Sequence, residues 1–336
     1  MNLTEKLLEW YSKNGRNLPW RVKGRAHDDA YAVWISEIML QQTTVKTVIP
    51  YYERFMKRFP DVFTLANADL QEVLMFWQGL GYYTRARQLH ACAKVLVDEY
   101  GGIFPKDRKQ LTKLPGIGAY TSAAIASLGF NQPEAVVDGN VVRVLTRLKG
   151  WKNPVDSILN DINMLAQSLV SLHEAADYSS AIMDLGATVC TPHNPSCLLC
   201  PWKNDCVALS QNTVEKIPHI VKPPKTVKKG FVFLIQNDNG DFLIRKRTEK
   251  GLLSGLTEFP WNTTKEQPFE KAEISRLKIK HVFTHFELYL TPVFIKSNVI
   301  PSEFDGFFAP IERFEEYPFS TLMKKVIQKA IGKKDK

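Results

Sequence analysis

Cys190, Cys197, Cys200 and Cys206 follow one another as C-x6-C-x2-C-x5-C in a segment braced by Pro192, Pro195 and Pro201. Four thiolates so close in sequence can converge on one metal centre, because little chain entropy opposes closing such short loops. Spacing alone does not choose the metal, since four cysteines also suit a tetrahedral zinc site. The fifth cysteine, Cys92, lies in the apolar run HACAKVLV and reads as a core residue. Five cysteines in a chain expected to be intracellular point to metal or thiol chemistry, not to a disulfide framework.

Two carboxylates offer acid–base chemistry. Glu37 sits in YAVWISEIMLQQTTVKTVIPYYERF, a helix apolar on nearly all sides, with Gln41 and Thr44 expected one and two turns further along its face. A carboxyl buried there has its charged form disfavoured and its pKa raised, as a general acid near neutral pH requires. The plainer alternative is a partly exposed helix glutamate in a bundle. Asp138 precedes a helix whose buried stripe is Val141, Val144, Leu145 and Leu148. It reads as an N-cap, or as an anion aimed at a substrate cation. Between these carboxylates, Leu114-Pro115-Gly116-Ile117-Gly118 separates two helices. Its glycines allow a tight turn with outward N–H groups that can grip a phosphate, although the same pattern also serves as an ordinary helix connection.

The elements that must position these residues are mostly helical from Leu3 to about Leu209, with breaks at Asn14-Gly15, Phe59-Pro60, Gly101-Gly102, Pro115-Gly116 and Pro154. The polar, basic stretch from Gln211 to Lys229 carries Pro218, Pro223 and Pro224 and reads as a linker. Beyond it, GFVFLIQNDNGDFLIRKR predicts two strands around a turn at Asn237 to Gly240, HVFTHFELYLTPVFI predicts more, and a helix closes the chain near Ser320 to Ile331. The second domain is therefore α+β, ending in a solvated Lys-rich tail. A chain of 336 residues exceeds what one core usually supports. Its net charge of +9 and pI near 9.1 suit a polyanionic partner such as nucleic acid. No apolar run reaches the length of a membrane helix, and the N-terminus lacks the pattern of a signal peptide, so a soluble, cytoplasmic protein is expected.

With LPGIGAYTSAA, VVDGNVVRVL and the four-cysteine loop in view, the chain resembles the helix-hairpin-helix DNA glycosylase superfamily. Within it, ISEIMLQQTTVKTVIPYYERF and FWQGLGYYTRARQLH look like the adenine DNA glycosylases of the MutY type. The resemblance implies a mainly α, two-lobed HhH-GPD core: a cluster-bearing domain of residues 1–28 and 133–212, a six-helix barrel of 29–132, a linker of 213–229, and a Nudix-like α+β domain of 230–336. It implies a structural [4Fe-4S] cluster on the four cysteines, with Lys203 nearby meeting the DNA backbone. The partner would be double-stranded DNA carrying an 8-oxoguanine:adenine or guanine:adenine mispair, with no membrane association, and the protein a monomer, nucleoid-associated in a bacterium.

By that resemblance the adenine is flipped from the duplex. Glu37 protonates its N7, Asp138 stabilises the oxocarbenium-like sugar, and Tyr120 and Asn140 support the pair. Endonuclease III-like relatives carry a Schiff-base lysine where this chain has Tyr120, which implies a monofunctional enzyme. Leu80 and Tyr82 match residues that wedge into the duplex. Gln42 matches a nearby contact, and Pro115, Gly116 and Gly118 form the DNA-gripping turn. Phe283-Thr284-His285 matches a Phe-Ser-His lesion-reading loop with threonine in place of serine, and Thr257 stands where tryptophan is common. The Nudix box of clustered glutamates is missing, which argues against pyrophosphate hydrolysis. Two rival readings are a bifunctional endonuclease III-like glycosylase for oxidised pyrimidines and a non-catalytic Fe–S lesion sensor.

Overall fold

The computed structural model describes residues 1–21, 29–221, 224–249, 251–263 and 272–332. The chain divides into two compact units: Met1–Asn67 with Gln88–Lys222, and Ala68–Arg87 with Pro223–Lys336.

The first unit is helical. Helix α1 spans Leu3–Asn14 and opens with a reciprocal capping box between Asn2 and Glu5. Helix α2, Ala30–Leu40, is capped by Asp29, and all its residues from Ala30 to Met39 are buried. Such an all-round apolar helix belongs at the centre of a core. It stops at Leu40: Gln41 leaves the helical region at ψ 116°, and Gln42 turns the chain through a left-handed backbone, φ 59°. Thr44 therefore does not extend a polar column from Glu37; it caps the next helix, α3, Val45–Arg58. Helix α4 is Val62–Asn67. In chain order α5, Leu70–Trp77, and the start of α6, Thr84–Tyr100, fall in the second unit, and the rest of α6 and the short α7, Arg108–Leu111, in this one.

Helix α8, Ala119–Ala124, widens into a π-helical turn at Ile125–Gly129. A Cβ at Gly129 would stand 3.2 Å from the Ala30 Cα, so the small-residue run lets this helix press against α2. Helices α9, Gly139–Lys149, α10, Leu159–Leu169, and α11, Ala175–Thr188, share one apolar cluster that includes Val141, Leu145, Ile162, Ala181 and Leu185. A left-handed Gly150, φ 67°, ends α9, and the short α12, Val207–Ser210, follows the cysteine segment.

The second unit is built on a sheet. Strand β1, Thr226–Gln236, runs parallel to β7, Phe286–Lys296, in unbroken register from Thr226↔Phe286 to Gln236↔Lys296. Between them come β2 (Phe242–Lys246), β3 (Thr257–Glu258), β4 (Trp261–Asn262), β5 (Glu273–Ile274) and β6 (Ile279–Val282), with β8 (Phe307–Ala309) after β7. The turn between β1 and β2, the strand pair around residues 281–295 and the final helix α13, Thr321–Val326, fall where the sequence predicts them. The parallel pairing was not expected, because it joins strands some sixty residues apart and leaves no local turn signal. It also draws β1 back to Thr226, inside the basic stretch read as a linker, since β7 offers a main-chain partner to every residue there. Val232, Leu234, Leu288 and Leu290 pack with Phe259, Phe319 and Leu322 on one side, while Phe233, Ile235, Leu243 and Val293 form a second cluster.

Helix α5 belongs to this unit: Gln78 Nε2 donates to the carbonyls of Tyr317 (3.2 Å) and Phe319 (3.1 Å). Thr257 is buried, and its N–H donates to the Pro318 carbonyl at 3.2 Å.

Candidate active site

Glu37 is 4% exposed on α2, and the Tyr120 hydroxyl donates to its Oε2 at 2.7 Å. Burial pushes the Glu37 pKa up and outweighs the opposing effects of the Tyr120 hydrogen bond and the Arg21 cation; the Asp138 charge adds to the rise. Tyr120 in turn is raised by burial and by both carboxylates. Glu37, Tyr120 and Asp138, from α2, α8 and the start of α9, thus share one electrostatic field.

Asp138 caps α9: its Oδ1 accepts from the Val141 N–H at 2.8 Å and its Oδ2 from Asn140 Nδ2 at 2.7 Å. The cap reading holds, and the same hydrogen bonds fix the direction of the carboxylate. Asn140 is held by Arg143, whose Nη2 donates to Asn140 Oδ1 at 2.8 Å and to the Gly186 carbonyl at 2.7 Å, while Nε reaches the Cys190 carbonyl at 2.7 Å. A Cβ on Gly186 would stand 2.6 Å from the Asn140 Cβ, so α11 needs glycine where α9 crosses it.

Several of these supports escaped sequence reasoning. Arg21 and Arg16 both bind the fully buried Asp184, at 2.8 Å and 2.7 Å, and the Arg16 backbone N–H donates to its other oxygen at 2.8 Å. Each partner lies more than 160 residues away in the chain, which leaves no local signal. Arg143 had one: a cation one turn beyond Asp138-Gly139-Asn140 is placed to reach back to that cap.

The four cysteines line a single cavity together with Val144, Arg147, Leu148 and Trp202. Among the described residues no three His, Cys, Asp or Glu side chains group as they would around a single ion. The donor set is nevertheless wholly thiol. Burial and the neighbouring thiolates push Cys200 up to about 12 and raise Cys197 and Cys206, so a cationic centre would have to draw off the protons. The buried Arg147 donates to Cys190 Sγ (3.4 Å) and to the carbonyls of Thr191 (2.7 Å), Pro192 (3.0 Å) and Ile217 (2.8 Å), setting a positive charge beside the thiols. This environment fits an anionic thiolate–metal assembly. Lys203 is exposed beside it.

The Pro115–Gly118 turn is as its residues demand. Gly116 has φ +72°, and a Cβ there would lie 2.6 Å from that of Gln88. Gly118 precedes α8 as its N-cap and, being glycine, offers no side-chain cap to the first N–H groups of the helix. Gln42 is exposed, at φ 59°. In the second unit, Tyr82 is 49% exposed and also left-handed, φ 48°. Its neighbour Leu80 is only 5% exposed, so of the two expected wedges Tyr82 alone is presented; Leu80 packs inward beneath the loop. A non-glycine residue held in that region costs on the order of 1–3 kcal/mol, which surrounding contacts must offset.

Tyr82 also lines a cavity of about 570 Å³ with Lys225, Leu253, His281, Phe283 and Thr284. Across it the Tyr82 and Thr284 hydroxyls stand 2.9 Å apart. His285 is exposed at the same rim, and burial lowers the His281 pKa to about 4.

Residues 35–164 match the HhH-GPD superfamily of base excision DNA repair proteins, and residues 231–329 match the NUDIX domain. Fold and sequence thus define a helix-hairpin-helix DNA-repair glycosylase with an appended Nudix-like domain. The adenine DNA glycosylase of Buchnera aphidicola from Acyrthosiphon pisum is 35% identical over 90% of this chain and 88% of its own length. That of Homo sapiens is 35% identical over 84% of this chain and 64% of its own. A solved thermostable thymine-DNA glycosylase superposes with TM-score 0.57 at 30% identity, covering 62% of this chain and 95% of that one. An endonuclease III–DNA complex shares the fold, with TM-score 0.53 at 22% identity over 62% of this chain and 94% of that one. The chain belongs to the adenine DNA glycosylase family, enzymes that hydrolyse N-glycosyl bonds. Among the described residues no helix is long and apolar enough to cross a membrane.

Proposed function

We propose that this enzyme excises adenine from 8-oxoguanine:adenine and guanine:adenine pairs in duplex DNA and leaves an abasic site. The observation that carries the reading is the buried Glu37, bonded to Tyr120 and sharing a field with the capped Asp138. Burial keeps a proton on Glu37 at a pH where an ordinary carboxyl has lost it. Passing that proton to N7 of a flipped adenine lets the C1′–N9 bonding pair leave with the base. The sugar is left cationic, and Asp138, held by two N–H donors, faces it as the stabilising anion. Water then adds to C1′ and gives up a proton, so the products are adenine and an abasic sugar. Tyr120 offers no amine for an imine, which favours hydrolysis over strand cleavage and disfavours the endonuclease III-like alternative.

The four cysteines would hold a [4Fe-4S] cluster, which would brace the loop carrying Lys203. The exposed turn at Gly116–Gly118, Gln42 and Tyr82 would meet the DNA, and Phe283, Thr284 and His285 would read the base opposite adenine. The helical lobes of 1–28 with 133–212 and of 29–132, followed by a linker from 213 and a module that opens with β1 at Thr226, are the domain division we propose.

The test is single-turnover adenine release from duplexes that differ only in the base opposite adenine, with wild type, Glu37→Gln and Asp138→Asn. Each variant should lose about 10²–10⁴-fold in rate; undiminished release by either would remove that residue from its role, and release from both would favour a different site altogether. Iron and acid-labile sulfide assays on the purified protein test the cluster, with zinc as the contrary result.

A further inference from the structure

The loop that presents Tyr82 is unusual backbone: Gly79, Gly81 and Tyr82 have φ of 106°, 72° and 48°. Glycine tolerates such angles, but tyrosine adopts them only where its surroundings impose them. The group that touches this loop from several directions is Arg85. Its Nη2 donates to the carbonyls of Leu80 and Gly81, both at 3.2 Å. Its guanidinium carbon lies 5.5 Å from the Tyr82 ring centre and 5.3 Å from that of Trp77. The Trp77 indole N–H donates to the same Gly81 carbonyl at 3.1 Å, and the Arg85 N–H returns to the Tyr82 carbonyl at 2.8 Å. Burial lowers the Arg85 pKa to about 10, so the side chain has given up water to sit beneath the loop and remains a cation at neutral pH.

We infer that Arg85 is a positioning residue for DNA engagement: it sets the Tyr82 ring in advance in the pose that enters the base stack, and it does not act as a phosphate contact. The inference rests on the proposed role of Tyr82 as the wedge. A flat guanidinium can serve two carbonyls and two ring faces at once, whereas an ammonium is a single point charge. Charge alone should therefore not substitute.

The experiment uses full-length protein and a duplex with 2-aminopurine beside 8-oxoguanine, whose emission rises when the stack opens. Arg85→Met and Arg85→Lys should both lose most of the rise seen with wild type and slow adenine release by about 10–10²-fold, as misplacement of a docking group does. Affinity for undamaged duplex, its salt dependence and the unfolding temperature should stay near wild type for Arg85→Lys, which also serves if Arg85→Met fails to fold. Wild-type emission with either variant would overturn the inference, as would a shallower salt slope for Arg85→Met restored by lysine, the mark of a phosphate contact. Tyr82→Ala separates the two layers: if it leaves the emission rise intact, the wedge reading itself fails.

Discussion

The Tyr120 hydroxyl donates to Oε2 of Glu37 at 2.7 Å, and this one hydrogen bond opposes the burial that raises the Glu37 pKa. Removing it in Tyr120→Phe should lift the Glu37 pKa further. The alkaline limb of the pH–rate profile for adenine release, where Glu37 loses its proton, should then move to higher pH. A limb that stays put or moves down would show that Glu37 is not the titrating acid.

Glu37 should also cost stability. Its folded pKa lies above the ordinary 4.5, so folding holds its proton more tightly than the unfolded chain does. That contribution is complete below the ordinary value and is lost as pH rises through the raised one. Glu37→Gln carries no such dependence, so its melting temperature should gain on wild type between pH 5 and pH 8, by about 2–4 °C for each kcal/mol relieved. Calorimetry at both pH values checks the sign.

Tyr120→Lys places an amine beside Glu37. Borohydride should trap a covalent protein–DNA adduct with this variant and little or none with wild type. Efficient trapping of wild type would contradict the monofunctional reading.

Arg143 holds Asn140, Gly186 and Cys190 at once. In Arg143→Lys one ammonium cannot span all three, so adenine release should fall about tenfold or more while duplex affinity changes little. Gly186→Ala attacks the same point sterically: the new methyl meets Asn140, and the rate should drop more than the unfolding temperature does. Single-turnover rates beside thermal melts distinguish these outcomes.

In the second unit Glu258, 2% exposed, accepts from Arg245 (2.8 Å), Arg247 (3.2 Å) and the Trp261 indole (2.7 Å). Glu258→Ala removes the buried acceptor shared by Arg245, Arg247 and Trp261, while Arg245 keeps Glu249 (2.6 Å) and Asp305 (3.2 Å), so this unit should lose about 1–3 kcal/mol. Urea unfolding followed by tryptophan fluorescence would show it; an unchanged midpoint would mean that the cations find other partners.

Local pattern determined much of this protein. The helical register of the first unit, the Asp138 cap, the glycine turn at 116–118, the four-thiol segment and the hairpin at Asn237–Gly240 each follow from neighbours within a few residues, where backbone geometry and side-chain spacing suffice. Tertiary structure alone decided the burial of Glu37 against Tyr120, the Arg16–Arg21–Asp184 group, the parallel pairing of β1 with β7 and the placing of Tyr82 opposite Thr284. These join residues between 60 and more than 200 positions apart, and burial and pairing at that range depend on how whole elements pack. Leu80 and Thr44 mark the same boundary. A motif could place them near the chemistry, but the backbone turn at Gln41–Gln42 and the inward packing of a loop determined which way they face.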